Sequence, residues 1–213
     1  MVPENIRIKF SKTGRLRYIS HLDLCRTMTP AMIRAGIPIW YTEGFNPHPK
    51  MVFTQPLPLF AESVCEYLDI KITEPMPLDE IKSRLNSALA EELCVLEVYR
   101  PSEKFTEIGY AEYEVRGFDG VSAEMLEIAL AGAIEIEKRT KSGQVKAIDI
   151  RPQIRSARCS DSVIKCTLEA SGSSYLNPDL FCKGLIKRLS LDEEADYQIV
   201  RVGWFKADGT VFI

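Results

Sequence analysis

Residues 6–26 read IRIKFSKTGRLRYISHLDLCR, and they predict a β-strand that leads into an α-helix. Three apolar residues at the start of this stretch alternate with cations: Ile6, Ile8 and Phe10. This two-residue period is typical of a strand with one buried face. Ser20 and Asp23 then have the spacing of a helix cap, so the helix is predicted to begin near Ser20.

The predicted helix continues to Gly36, where the glycine supplies a stop. One apolar stripe runs along it, formed by Cys25, Met28 and Met32. Pro30 interrupts the pattern, because an interior proline removes a backbone hydrogen bond and clashes with the preceding turn at a cost of about 3 kcal/mol. We therefore expect the helix to kink near Arg26 or to break in two.

Four further elements follow in the first half of the chain. They are strands at 51–55 and 66–72, a helix at 78–90 and a strand at 94–99. The resulting order β-α-β-β-α-β is the ferredoxin-like signature, in which two helices cover one face of an antiparallel sheet. The first predicted domain spans residues 1–100.

The second half repeats this order with additions after a polar connection at 100–110. The predicted elements are a strand at 111–116, a helix at 122–133, strands at 134–140, 146–150 and 162–170, a helix at 178–190 and a strand at 197–206. Asn177 and Pro178 mark the start of the last helix. The sequence thus predicts an α+β protein of two ferredoxin-like halves with antiparallel sheets, of which the second, residues 111–213, is elaborated.

Composition excludes several classes of protein. The 213 residues are 46% apolar, which is enough for a core, and no run approaches the roughly 18 apolar residues of a membrane helix. We expect a cytoplasmic protein without a membrane partner. The cysteines form no C-x-x-C pair and only His21 and His48 supply imidazoles, so neither a metal nor a cofactor is expected. A Gly-rich phosphate loop and a nucleophile elbow are both missing from the sequence.

Charge is distributed unevenly along the chain. Residues 1–55 carry eight Lys or Arg against three Asp or Glu, whereas residues 56–110 carry five against eleven. This contrast indicates a basic face for an anionic partner and an acidic face that is solvated or meets another partner. Uneven surface charge without a function remains the alternative.

The first candidate site lies between the first strand and the first helix. Three cations are predicted on a loop that contains Gly14: Lys12, Arg15 and Arg17. Unpaired amides at the start of a helix attract phosphate, so these cations, Ser20 and His21 are candidate anion-binding residues. Helix capping alone also explains Ser20 and Asp23.

The second candidate site is the stretch YTEGFNPHPKMVF at 41–53, in which glycine and proline fix a turn. The turn offers stacking surfaces and donors for unstacked bases and their phosphates: Tyr41, Phe45, Asn46, His48 and Lys50. A purely structural corner would use the same residue types.

The third candidate site is basic. Seven Lys or Arg lie between residues 138 and 158, against the single acid Asp149. Alternation near Ile148 and Ile150 predicts a strand whose cations follow a phosphate backbone. The candidate binding residues are Lys138, Arg139, Lys141 and Arg151. An edge strand that uses charge against aggregation is the alternative.

Four motifs together resemble the radical SAM-linked protein family, a domain of unknown function. They are RIKFSKTGRLRYISHLDLCR at 7–26, EGFNPHPKMVF at 43–53, EYLDIKITEPM at 66–76 and EKRTKSGQVKAIDIRP at 137–152. In that family the domain is encoded beside, or fused to, a radical SAM protein, often near genes for ribosomal proteins and a ribonuclease. The resemblance implies a radical SAM protein as partner and supplies no reaction.

The leading hypothesis for function is a non-catalytic RNA-binding accessory domain that presents tRNA or rRNA to a modifying partner. An RNA-processing or RNA-modifying enzyme is the first alternative, and its general acid or base would be His21 or His48. A protein-interaction scaffold that uses the acidic segment 56–110 is the second alternative.

Overall fold

A computed structural model describes residues 3–139, 143–172, 174–192 and 194–213. In this part of the chain the protein is α+β, with four α-helices and mostly antiparallel strand pairing. The chain divides into two compact units. The first comprises Met1–Phe105 and Ile213, and the second comprises Thr106–Phe212. None of the helices in these described ranges is long and apolar enough to cross a bilayer.

From residue 3 onward, where the structure describes it, the first unit contains four strands and two helices. Its elements are β1 (Glu4–Lys12), α1 (His21–Arg34), β2 (Met51–Phe53), β3 (Ala61–Ile72), α2 (Leu78–Ala88) and β4 (Leu93–Tyr99). β1 pairs with β3 and with β4, and β2 pairs with β3, always antiparallel. The strand order within this unit is therefore β4-β1-β3-β2.

The core of the first unit confirms the period of the opening strand. Ile6, Ile8 and Phe10 are buried on one face of β1 and belong to the same cluster as residues from both helices. The helix residues in that cluster include Met28, Met32, Ile81 and Leu85. Each buried side chain of this size contributes about 1.5–3 kcal/mol relative to an exposed one, so the apolar stripe holds the helices on the sheet.

The structure confirms where α1 begins and excludes a break at Pro30. Ser20 caps the helix, because its hydroxyl accepts the Asp23 N–H at 3.2 Å, as predicted. α1 does not break in two, since it is one helix that contains Pro30, and a kink near Arg26 stays a prediction. Burial of Met28 and Met32 on either side of the proline offsets the lost backbone bond.

The second unit contains seven strands and two helices in the described residues. Its elements are β5 (Ile108–Arg116), α3 (Ala123–Leu130), β6 (Glu135–Arg139), β7 (Val145–Asp149), β8 (Ile154–Ser160), β9 (Val163–Ser171), β10 (Ser174–Tyr175), α4 (Pro178–Leu189) and β11 (Gln198–Lys206). β9 pairs with β5, β8 and β10, and β5 pairs with β11. β6 and β7 form a separate two-stranded sheet.

β8 is the longest described element that the sequence pattern misses. Its residues IRSARCS include two arginines and two serines, and its pairing with β9 shifts register between Ile154 and Ser156. The irregularity interrupts the alternation by which a half-buried strand is recognised. Lys141, one of the predicted binding residues, lies outside the described residues.

Candidate nucleic-acid interface

The connection from β1 to α1 is folded rather than an open loop. A short 3-10 helix spans Gly14–Tyr18, and the Thr13 N–H donates to the Glu92 carbonyl oxygen at 2.9 Å just before it. Gly14 has a φ of 60°, and a Cβ there would meet Glu92 Cγ at 3.1 Å. The turn therefore requires glycine for its backbone conformation and benefits from the missing side chain.

The three predicted cations of this connection have different surroundings. Lys12 is not on the connection at all: it is the last residue of β1, opposite Ser63 and Leu93, and it is buried. Arg15 is 91% exposed, with Nε 3.5 Å from the Glu92 carboxylate. Arg17 approaches the Glu62 carboxylate at 3.8 Å. Two of the three cations are thus placed where a phosphate could reach them.

The start of α1 already holds a carboxylate. The Ser20 hydroxyl donates to the Asp23 side chain at 2.6 Å, and Arg26 lies 3.5 Å from the same group. The hydrogen bond from Ser20 is the main reason why the pKa of Asp23 is lowered. Because a charged Asp23 in the first turn opposes a bound anion, the helix terminus by itself is a weak phosphate site.

Two exposed aromatic rings and a guanidinium adjoin that terminus, and we define Arg17, Tyr18 and Phe60 as the aromatic platform. The Tyr18 and Phe60 rings meet edge to face at 5.9 Å and are 54% and 67% exposed. Arg17 lies with its guanidinium carbon 4.9 Å from the centre of the Tyr18 ring and donates to the Tyr18 hydroxyl at 2.8 Å. The platform therefore presents π-faces and a cation together.

Phe60 is held in this position against its backbone preference. Its φ is 68°, in the left-handed region that bulky residues seldom adopt. The Phe60 N–H donates to the Arg17 carbonyl oxygen at 2.8 Å, which fixes the turn beside the 3-10 helix. Left-handed backbone costs about 1–2 kcal/mol for a residue with a side chain. A large apolar ring that is both strained and exposed points to a role outside folding.

His21, the first residue of α1, sits in a partly apolar environment. Its ring meets Phe53 edge to face at 5.1 Å, and Nε2 lies 3.7 Å from the Cys25 sulfur. Burial lowers the pKa of His21, an effect that the Glu66 carboxylate partly opposes. Burial also raises the pKa of the Cys25 thiol. This pair therefore lacks the thiolate that a nucleophilic cysteine needs.

The lowered pKa of His21 predicts a pH dependence of stability. The neutral ring is favoured in the folded protein, so stability is fully present above the ordinary histidine pKa of about 6.5 and is lost as pH falls below it. We expect His21→Gln to lose less stability than the wild type between about pH 7 and pH 5. Urea unfolding across that range measures it. Equal losses of stability in His21→Gln and in the wild type over this range would contradict the prediction.

The second candidate, the turn at 41–50, is a narrow hairpin-like structure. Tyr41 bridges to Pro49, and the Lys50 N–H donates to the Trp40 carbonyl oxygen at 3.2 Å. The predicted residues Tyr41, Asn46, His48 and Lys50 are all exposed. Phe45 at the tip, which the sequence also offers as a stacking surface, is fully exposed. The tip therefore presents one open ring among its polar groups.

His48 holds the turn together. Its Nδ1 lies 3.1 Å from both the Asn46 carbonyl oxygen and the Thr42 hydroxyl. Its backbone N–H donates to the Thr42 hydroxyl at 3.2 Å. His48 precedes β2, whereas His21 contacts Phe53 at the other end of that strand. The two histidines therefore do not form one catalytic pair.

The third candidate segment separates into residues with different roles. Lys138 of β6 lies opposite Lys146 of β7 on an exposed ribbon. The backbone of Arg139 belongs to β6. Arg151 was predicted on a strand, but it opens a 3-10 helix and its guanidinium donates to the carbonyl oxygens of Leu130 and Ile154. Arg151 therefore fastens the backbone of the second unit.

The arginines that do lie on a sheet surface come later in the same segment. Arg155 lies with its guanidinium carbon 4.5 Å from the centre of the Tyr110 ring. A shallow cavity of about 180 Å³ beside it is lined by residues that include Arg155, Arg158 and Phe205. The two arginines belong to β8, and the charge count gave no means of separating them from Arg151.

Residues 5–178 match a family described as uncharacterized protein conserved in bacteria (DUF2344). The chain belongs to this family. None of the curated proteins matches the chain. The description of DUF2344 names no activity and no partner, so the link to a radical SAM protein stays a prediction.

Proposed function

We propose that this DUF2344 chain is a non-catalytic RNA-binding accessory protein that acts on tRNA or rRNA beside a radical SAM partner. One observation carries the RNA part of the proposal: the aromatic platform keeps two exposed rings and the Arg17 guanidinium together, and Phe60 adopts a strained backbone there. The radical SAM partner rests on the resemblance of the sequence motifs alone.

The chemistry of single-stranded RNA matches the platform. Unpaired bases stack on aromatic rings and on arginine planes, and each stacked base contributes about 1–3 kcal/mol. Arg15 and Arg26 are exposed near the start of α1 and would meet the phosphates of such a strand. The carboxylates of Glu62 and Glu92 lie near Arg17 and Arg15 and weaken the positive electrostatic potential there, which suits a weak, reversible contact. The partly buried Cys25 thiol, whose pKa is raised, and the structural role of His48 favour binding over catalysis.

We propose further that both units are variants of the ferredoxin-like fold. The element order of the first unit, with its strand order β4-β1-β3-β2, supports this. In the second unit the order β11-β5-β9-β8 supports it as well, with the β6–β7 ribbon as an insertion after α3. Folds of this kind include RNA-binding domains, although fold alone does not determine function.

RNA affinity of an arginine double variant tests the proposal. In a fluorescence anisotropy titration with a labelled single-stranded RNA, we expect the Arg15→Ala, Arg17→Ala variant to bind about tenfold or more weakly than the wild type. We also expect wild-type affinity to fall as salt rises, because bound phosphates release counterions.

The matched control removes two other cations of the same unit. Arg34 lies in the last turn of α1 and donates to the Ala88 carbonyl oxygen, and Arg84 pairs with Glu80 on α2. The Arg34→Ala, Arg84→Ala variant changes net charge equally and should bind RNA nearly as the wild type does. Unchanged affinity of the Arg15→Ala, Arg17→Ala variant, together with a normal melting curve, would assign the connection to folding alone.

A further inference from the structure

The β6–β7 ribbon of the second unit packs closely on α4. The contact is made at Gly184, where an added Cβ would lie 2.6 Å from Ile134 Cγ2 and 3.2 Å from Ile150 Cδ1. Ile134 and Ile136 are both buried, so this face of the ribbon points toward the helix. Glycine at position 184 therefore lets β6 run beside α4.

One edge of β6 has no partner strand in the described part of the chain. β6 and β7 form a two-stranded sheet, and the Ile150 N–H donates to the Ile134 carbonyl oxygen at 2.9 Å. In an antiparallel ladder, bonded pairs recur at every second residue. Positions 134, 136 and 138 therefore bond to β7. The backbone N–H and C=O groups of Glu135 and Glu137 point to the opposite edge.

A groove follows that edge. A cavity of about 470 Å³ is lined only by β6 and α4 among the described residues, and a second of about 400 Å³ shares Glu135 and Lys187 with it. Ile136, Leu180 and Ile186 give the larger cavity an apolar floor. Apolar floor and unpaired strand edge together are the geometry to which an extended peptide adds as a strand.

The cations on the α4 side of the groove favour a peptide with acidic side chains. Lys183 and Lys187 line the larger cavity, and Arg188 lines the smaller one. Lys183 pairs with Asp179 at 2.7 Å, whereas no ion pair is recorded for Lys187 or Arg188 in the residues that the structure describes. The helix wall is therefore cationic and complements carboxylates.

We propose that the groove between β6 and α4 binds an extended acidic segment of a partner protein, which pairs with the free edge of β6. Side chains of that segment alternate between two faces. Those that face α4 contact Leu180 and the two lysines and are apolar or acidic. Those on the other face lie beside the carboxylates of Glu135 and Glu137 and are uncharged or basic. This inference is independent of RNA binding at the aromatic platform.

The probe for this site is a synthetic eight-residue peptide in which valine alternates with glutamate. Added to the ¹⁵N-labelled full chain, it is expected to shift the backbone amide signals of Glu135 and Glu137 and to slow their hydrogen exchange. The same peptide with lysine in place of glutamate is the charge control, and we expect it to bind at least tenfold more weakly.

Two proline variants separate strand addition from simple charge attraction. Glu137→Pro removes an N–H from the groove edge of β6, and Ala147→Pro removes one from the outer edge of β7, so neither disturbs a bond between the two strands. We expect Glu137→Pro to weaken peptide binding at least tenfold and Ala147→Pro to leave it unchanged. Lys183→Glu together with Lys187→Glu should also abolish binding.

Several results would overturn the proposal. One is that the valine–glutamate peptide binds the Glu137→Pro variant as tightly as the Ala147→Pro variant. Another is that the wild type does not bind this peptide at millimolar concentration. Signal shifts at Glu135 and Glu137 produced by a single-stranded RNA instead would assign the groove to nucleic acid. Concentration-dependent shifts without any peptide, with dimer formation in sedimentation, would assign it to a second copy of the chain. Normal far-UV circular dichroism of each variant keeps these outcomes distinct from unfolding.

Discussion

Replacing Arg7 with methionine is expected to lower the free energy of unfolding by about 3 kcal/mol or more. Arg7 is completely buried on β1, where its guanidinium forms two hydrogen bonds to Asp69, at 2.7 and 2.9 Å. Further donors reach the carbonyl oxygens of Glu103 and Ile213. Without the cation, Asp69 and both carbonyl groups lose charged donors that water replaces only in part, because the Asp69 side chain is 25% exposed.

Aromatic rings strengthen this arrangement. The guanidinium carbon of Arg7 lies 4.3 Å from the centre of the Phe105 ring and 5.8 Å from that of Tyr67. Desolvation, the largest single influence on the Arg7 pKa, lowers it, but Asp69 and Tyr99 together raise it, so the pKa lies above its ordinary value. Methionine keeps the apolar length of the side chain, and the expected loss therefore reports the charged contacts rather than a cavity.

Lys9→Met is the matched control. Lys9 lies two residues along β1 on the same face, and it pairs at 3.1 Å with Glu97 in a partly exposed position. Such a pair contributes at most about 1 kcal/mol. Chemical denaturation monitored by circular dichroism measures both variants. Equal losses for Arg7→Met and Lys9→Met would show that the Arg7 contacts stabilise no more than a surface ion pair.

The opening strand shows how far the sequence predicts the fold. The period of Ile6, Ile8 and Phe10 is local, and so is the cap at Ser20, and both were predicted correctly. The same period placed Arg7 on a solvent face. Arg7 is buried because residues about 100 and 200 positions later in the chain cover it, namely Glu103 and Ile213. A pattern read within a few residues contains no information about such contacts.

In the candidate interface, too, local features were predicted from the sequence and contacts between distant residues were not. The basic connection before α1 was visible as a cluster of charge, and Arg15 and Arg17 lie at the surface there. Phe60 is 43 positions after Arg17, and its role depends on a hydrogen bond between the two backbones. Arg151 showed the reverse: its charge suggested binding, but the carbonyl oxygens of Leu130 and Ile154 occupy its guanidinium.

Phe60→Gly is expected to weaken RNA binding by roughly 5- to 150-fold, since loss of one stacked base removes about 1–3 kcal/mol. Stability should change by less than about 1 kcal/mol, because glycine relieves the left-handed strain at φ 68° while it adds a similar entropy to the unfolded chain. Because the Phe60 ring is exposed, its removal costs little of the free energy that comes from burying apolar surface. We therefore expect Phe60→Gly to lower RNA affinity strongly and to change the free energy of unfolding little.

Ser190→Gly is the control for the backbone effect. Ser190 ends α4 with a φ of 53°, so glycine there relieves the same kind of strain in the second unit without touching the aromatic platform. Its RNA affinity should equal that of the wild type in the same anisotropy titration. If Phe60→Gly also binds RNA normally, the ring does not stack on a base. If Phe60→Gly is instead strongly destabilised, the strained ring serves folding, and the reason for placing RNA at the platform is lost.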